Sequence, residues 1–158
     1  MNIYDYYDTD ELGNLEYDLC GDEYLLLLRI CFMYSTSVSF IIRSSSVPEL
    51  SNVHRDRGLV PLYVQKNYRN YSIQVSQIRH YRLTAQVQEA ICKVTNSIFS
   101  WIDGWGHHNP EDLIFYRSDG SVFFSSAVHE GKCSLYVDEN EDVSALISNE
   151  HWIQRNHD

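Results

Sequence analysis

The stretch "DLIFYRSDGSVFFSSAVHEGKCSLYV", residues 112–137, decides the fold class of this chain. Its first two apolar runs flank Asp119-Gly120, and an Asp-Gly pair between such runs is a strong signal for a β-hairpin. Glu130-Gly131 separates the second run from a third. The stretch therefore predicts a three-stranded antiparallel meander. A two-residue turn at Glu130-Gly131 places His129 opposite Lys132, and a longer loop is the alternative.

The segments before the meander predict further strands. We assign "EYLLLLRICFMY" (23–34) and "SVSFIIR" (37–43) to two strands, with a short buried helix as the alternative for the first. Two more strands are predicted in "LYVQ" (62–65) and "YSIQVSQIRHYRL" (71–83), the latter with a bulge or break near Gln77, where the alternation slips. The Ser-rich connection 43–61 is long for a compact domain.

Two segments predict helices. Residues 84–104 carry apolar residues at three- and four-residue steps, with Thr84 as N-cap and Asp103-Gly104 as the stop. A second helix is predicted after Asn140, with Val143, Leu146 and Ile147 on one face. The fold class that follows is α+β, a mainly antiparallel sheet with one or two helices packed on it.

Length and composition favour one cytoplasmic domain. We treat residues 1–158 as a single domain and leave open whether the acidic segment 1–23 is ordered or mobile. No stretch reaches the ~20 apolar residues that cross a bilayer, and the acidic N-terminus lacks the positive region of a secretory signal. Four scattered cysteines without a Cys-x-x-Cys pair favour free thiols. We expect no membrane association and no cofactor.

The charge distribution favours a basic protein as partner. The chain has 22 acidic and 12 basic residues, yet residues 54–93 contain seven basic and only two acidic ones. That basic block either folds against the acidic ends or forms its own patch. An acidic surface steers a basic partner, as immunity proteins do with nuclease toxins. The predicted partner-binding residues are Asp5, Asp8, Asp10, Glu11, Glu16, Asp18, Asp22, Glu23, Asp138, Glu139, Glu141 and Asp142.

The histidines suggest an alternative function as a small metal-dependent or acid–base enzyme. The candidate catalytic residues are His107, His108, His129 and Glu130, and the candidate metal ligands are His107, His108, Asp112 and His129. Loops at element ends often carry function, but this spacing matches no zinc pattern with a known mechanism. We therefore favour a non-catalytic protein over an enzyme.

The basic and aromatic residues of the chain raise two further functions, binding of nucleic acid and self-association. Residues 65–82 interleave basic residues with tyrosines, as single-strand nucleic-acid binders do. The acidic balance of the whole chain opposes such binding, and a sheet edge guarded by charge explains the same residues, so we disfavour nucleic acid. Twelve tyrosines against three prolines leave a third function open, a regulatory or structural module that self-associates through exposed tyrosines.

Three stretches carry a resemblance to a group of bacterial proteins. They are "EYLLLLRICFMYSTSVSFIIR", "PEDLIFYRSDG" and "FFSSAVHE". In these stretches the chain resembles small uncharacterised proteins of Bacillus-like bacteria, some of which are labelled as sporulation proteins. The resemblance implies a bacterial, cytosolic α+β protein and assigns no role to any residue.

Overall fold

The structure, a computed structural model, describes residues 1–9, 12–14, 17–43, 60–68, 75–104 and 107–156. The strands are β1 (Asn2–Tyr7), β2 (Ser37–Arg43), β3 (Tyr63–Tyr68), β4 (Val75–Arg82), β5 (Asp103–Gly104), β6 (His107–His108), β7 (Glu111–Tyr116), β8 (Val122–Ala127), β9 (Lys132–Val137) and β10 (Trp152–Gln154). The helices are α1 (Gly21–Tyr34), α2 (Ala85–Cys92) and α3 (Ser144–Ile147), with 3-10 turns at Ile98–Ser100 and Val128–Glu130.

Eight strands form one antiparallel sheet in the order β10-β1-β9-β8-β7-β2-β4-β3. β5 and β6 make a separate two-stranded ribbon. The predicted α+β class with a mainly antiparallel sheet is therefore confirmed. None of the helices in the described ranges has the length and apolar character that crossing a membrane requires.

The segment 23–34, which we assigned to a strand, is the helix α1. Its buried residues include Tyr24, Leu27, Leu28 and Cys31, each of which lies three or four residues from two others of the set. This spacing places them on one side of an amphipathic helix. The strand prediction was wrong because four consecutive leucines hid this periodicity. Leucine, arginine and methionine also favour helix over strand.

α1 covers one face of the sheet and forms the core there. Phe32 of α1 meets Phe115 of β7 edge to face, at a ring-centre distance of 6.0 Å. The same face of the sheet contributes Val38, Phe40, Phe124 and Leu135, all 0 or 1 % exposed. Burial of such side chains is the main favourable contribution to folding.

The helix predicted over residues 84–104 ends earlier than expected. Thr84 caps α2 by accepting a hydrogen bond from the Val87 amide at 3.3 Å, as predicted. The helix ends at Cys92, not at Asp103-Gly104. Ser97 instead pairs with Cys20 as an isolated bridge, and the chain continues as a 3-10 turn that buries Trp101. The indole nitrogen of Trp101 donates to the Tyr24 hydroxyl at 2.7 Å, which satisfies both groups in the core.

The strands β2, β3 and β4 lie where the sequence predicts strands, with one difference. Residues 71–74, the first part of the predicted strand 71–83, lie outside the described residues. β4 pairs without a register shift with both neighbours, so the bulge predicted near Gln77 is wrong. The irregularity lies in β2, between Ser39 and Ile41, where β2 pairs with β7.

The meander is confirmed as β7, β8 and β9. Gly120 adopts a φ of +85° at the first turn, which glycine accommodates without strain. Phe115 pairs with Phe124 and Tyr116 with Val122, so Phe123 is an extra residue in β8. Because of this bulge two successive phenylalanines, Phe123 and Phe124, are both fully buried.

The C-terminal segment differs from the prediction in two ways, in the residue that caps its helix and in an additional strand. Asp142, not Asn140, accepts the hydrogen bond from the Ser144 amide at the start of α3, at 3.0 Å. Val143 and Leu146 are buried as predicted. The strand β10 that follows was not predicted, and it pairs with β1.

The acidic N-terminal segment contains β1, which lies between β9 and β10. Asp5 is buried, where it accepts bonds from Ser134 Oγ at 2.6 Å and from Arg155 Nη2 and Nε at 2.8 and 3.0 Å. Lys132 Nζ lies 3.5 Å from the same carboxylate. Burial alone would raise the pKa of Asp5, but these hydrogen bonds and positive charges outweigh it and hold the pKa below its usual value.

We predict that Asp5→Asn destabilises the protein in a pH-dependent way. Because the pKa of Asp5 is lowered on folding, its stabilisation is present above the unfolded-state pKa of about 3.9 and lost as pH falls through the folded-state pKa. At pH 7 the loss is about 2 kcal/mol, the usual contribution of hydrogen bonds to a charged group. Urea unfolding at pH 7 and at pH 3 measures the free energy of unfolding of the wild type and of the variant. The difference between the two proteins is smaller at pH 3. Glu139→Gln is the exposed control and changes stability by less than about 0.5 kcal/mol. Equal effects of the two substitutions would contradict the role assigned to Asp5.

Candidate functional site

The predicted acidic residues divide into an exposed and an internal set. Asp10, Glu11 and Glu16 lie outside the described residues. The exposed set is Asp18, Asp22, Glu23, Asp138, Glu139 and Asp142. Asp5 and Glu141 have side chains that are 7 and 8 % exposed and are paired with arginines. Only the exposed set is placed to meet a partner.

Glu141 belongs to a buried ion pair that holds the meander together. Its two carboxylate oxygens accept bonds from Arg117 Nε and Nη2, each at 2.7 Å. Arg117 also donates to the carbonyls of Val122 and Tyr136. The hydrogen bonds and charge of Arg117 outweigh the effect of burial and lower the pKa of Glu141. Such two-point arginine–carboxylate pairs fix geometry as well as charge.

The solvent side of α1 combines acidic and apolar residues. Asp22, Leu25, Arg29 and Met33 are all exposed and lie at three- and four-residue steps, so they share one stripe, which we call the α1 face. Leu25 is 39 % and Met33 71 % exposed.

Acidic residues lie at both ends of the α1 face. At its start, Glu23 accepts a bond from the Asn149 side chain at 2.7 Å. At its end, the Tyr34 hydroxyl accepts a bond from the Asp142 amide at 2.9 Å. These contacts join the helix to the C-terminal acidic residues. A 14-residue helix spans about 21 Å, so the α1 face is an apolar and charged stripe with acidic groups at each end.

A carboxylate and a histidine meet at the second turn of the meander. His129 Nε2 lies 3.0 Å from Oε1 of Glu111, whose side chain is 2 % exposed while that of His129 is 44 % exposed. The next residue, Asp112, has a φ of +52° and accepts a bond from the Val128 amide at 2.8 Å. A non-glycine residue at positive φ is uncommon and is often found at functional sites.

The turn that carries His129 is longer than a two-residue turn at Glu130-Gly131. Ala127, not His129, pairs with Lys132, and the 3-10 turn Val128–Glu130 connects the strands. His129 therefore points to the start of β7 rather than across the hairpin. Glu130 is exposed. The longer-loop alternative is the one the structure adopts.

The remaining predicted histidines lie on the ribbon before β7. The backbones of His107 and His108 form β6 and pair with Gly104 and Asp103. Their side chains lie outside what the structure describes, as do Trp105 and Gly106. In the described part of the chain no group of three or more histidine, cysteine and acidic side chains is placed to hold a metal ion.

The contact of Glu111 with His129 was not predicted, although the sequence offers Glu111 as a metal ligand together with Asp103, His107, His108, Asp112 and His129. Its signal was available, because Glu111 precedes Leu113 and Phe115 at two-residue steps and so lies on their buried face. A carboxylate on the buried face of a strand needs a polar partner. His129 is that partner.

Asp8, another predicted partner residue, is half-buried against the same turn. Its amide donates to the Gly131 carbonyl at 2.9 Å. Burial raises the pKa of Asp8, and the negative charge of Asp18 adds to this effect. A Cβ on Gly131 would lie 2.0 Å from Oδ1 of Asp8. A side chain at position 131 would therefore displace the Asp8 carboxylate, and the φ of +60° adds backbone strain for any residue but glycine.

Comparisons of the chain with protein-family models, with curated proteins and with solved structures give no match.

We predict that Gly131→Ala is more destabilising than Gly120→Ala. Both glycines have positive φ, so either substitution introduces backbone strain of about 1 kcal/mol. Only the Cβ at position 131 meets Asp8, which adds about 1–2 kcal/mol of steric cost. Thermal unfolding of both variants measures the difference. Asp8→Ala in the Gly131→Ala background removes the extra cost, and a failure to do so would contradict the contact.

Proposed function

We propose that this chain is a non-catalytic, acidic protein-binding domain that binds a basic partner through the α1 face. The observation that carries the proposal is the exposure of Leu25 and Met33 on one helix, with Asp22 at its start and Asp142 beside its end. Apolar side chains at the centre of an interface supply affinity, and charges around them steer the partner. Inhibition of a basic protein such as a nuclease toxin in the cytoplasm, as by an immunity protein, fits this chemistry.

The charge balance supports the proposal. The chain has a net charge of −10, and two of its arginines are already paired internally with Glu141 and Asp5. The acidic groups near α1 are exposed, so their field extends into solvent. Arg29 is the basic residue of the α1 face. It lies four residues after Leu25 and four residues before Met33.

We predict that Leu25→Ser combined with Met33→Ser abolishes capture of the basic partner. The bait is the purified chain in a lysate of its host, at ionic strengths of about 0.01 M and 0.15 M, where the screening length is about 30 Å and 8 Å. One basic protein is expected at low salt, with weaker capture at the higher salt and a loss of about tenfold or more in the double variant.

The control for that experiment is Ile153→Ser, an exposed apolar residue on β10. It should leave capture unchanged. A partner that binds equally at both salt concentrations, or equally to the double variant, would contradict a steered interface on the α1 face.

A second candidate function is an acid–base or metal site at His129, favoured by the contact with Glu111. A buried carboxylate that accepts a hydrogen bond from Nε2–H leaves the lone pair on Nδ1, the arrangement used by general bases and by metal-binding histidines. His107, His108 and Asp112 remain the further candidates for this site.

For this second function we predict bound zinc, iron or manganese in protein purified without a histidine tag. The metal should be lost in His129→Ala and in His107→Ala, because each removes a candidate ligand. It should be retained in His151→Ala, because His151 is not a candidate ligand and its ring packs on Tyr17 at a ring-centre distance of 4.0 Å. Mass spectrometry of the purified proteins measures the metal bound by the wild type and by each variant. Metal-free wild-type protein would remove the support for a metal site.

A further inference from the structure

The two edges of the sheet differ in how they are protected. β3 and β10 are the edge strands, and within the described ranges no strand pairs with the outer side of either. Backbone N–H and C=O groups alternate in direction along a strand, so about half of those in an edge strand point outward. Proteins usually protect such edges by keeping them short or charged. β10 is short, with three residues.

The described edge from Val60 through the first half of β3 has neither form of protection. Val60, Leu62, Tyr63 and Val64 are 83, 53, 57 and 44 % exposed, and no charged residue occurs from Val60 to Gln65. Contiguous exposed apolar residues of this kind mark interaction sites. An edge strand with exposed apolar side chains is the surface to which an extended segment adds as a further strand.

Contacts to β4 hold this edge in an extended conformation before any partner binds. The Leu62 amide donates to the His80 carbonyl at 2.7 Å. The Tyr63 ring stacks on the His80 ring at a centre distance of 4.0 Å and an interplanar angle of 17°. An ordered edge lowers the entropy cost of binding.

The charge of this edge decides between a second copy and a different partner. β3 and β4 contain Lys66, Arg79 and Arg82 and no acidic residue, whereas the chain as a whole has a net charge of −10. Pairing β3 with β3 of a second copy would place basic strands side by side. An acidic segment would instead be attracted to them.

We propose that the outer edge of β3 binds an extended acidic segment of a partner protein by strand addition. Leu62 and Val64 contact alternate side chains of that segment on one face of the sheet, and Tyr63 contacts those on the other. The site is separate from the α1 face, so each is tested by its own variants.

Selection from a displayed library of random peptides, about six residues long, tests the proposal. Enriched peptides should be acidic, with β-branched or aromatic residues at alternate positions. The most enriched peptide, labelled with a fluorophore, is then titrated with the wild-type chain and its variants. Val64→Glu should weaken binding about tenfold or more, because it removes apolar contact and adds a like charge.

Ile153→Glu is the matched control, an exposed apolar residue on the other edge strand, and should change the affinity less than about twofold. Circular dichroism checks folding, and Leu62→Glu replaces Val64→Glu if the latter does not fold. Basic peptides, no enrichment, or equal losses in both edge variants would overturn the proposal. So would a dimer that Val64→Glu converts to a monomer, or tighter binding of a labelled oligouridylate than of the peptide.

Discussion

The pairing of carboxylates with arginines inside the sheet is the interaction on which this acidic fold depends. Asp5 in β1 and Glu141 after β9 are both buried, and each would be costly there as an unpaired charge. Arg155 and Arg117 neutralise them through two-point contacts. The first pair anchors β1 between its neighbours, and the second fastens the turn of the meander to the loop after β9. Removing one partner of such a pair is strongly destabilising, because it leaves the other as an uncompensated charge.

These internal pairs engage two of the chain's basic residues. Arg117 Nε also lies 3.7 Å from Oδ2 of Asp138, so part of that exposed negative charge is compensated as well. The exposed apolar residues Leu25 and Met33 lie on the α1 face together with Asp22 and one basic residue, Arg29. A helix that covers the core with one stripe thus presents a partner surface with the opposite stripe.

The sequence predicted those parts of the fold whose pattern is local. The Asp119-Gly120 turn, the Thr84 cap and the alternation in β2 each depend on neighbouring residues, and each is confirmed. One error, the strand assigned to the segment that forms α1, was itself local, because the run of leucines hid the helical period. Others came from long-range contacts. α2 ends at Cys92 because Ser97 pairs with Cys20, about 77 residues earlier, and no local signal encodes that bridge. The Glu111–His129 contact likewise joins two strand ends, and only the buried position of Glu111 hinted at it.

The basic block of the sequence is not neutralised by the acidic ends within the sheet. β4 pairs with β2 and β3, and none of these three strands contains an acidic residue. The acidic residues of the sheet that lie nearer, Glu111 and Asp112, are on β7, two positions from β4, and Glu111 is paired there with His129. β1, with Asp5, lies five positions from β4 in the strand order, about 24 Å at the usual spacing. Because the screening length at physiological salt is about 8 Å, the acidic end of the sheet has little influence on the charge of β3 and β4. An overall acidic chain therefore keeps a locally basic strand edge, so net charge alone does not identify the partners of its separate surfaces.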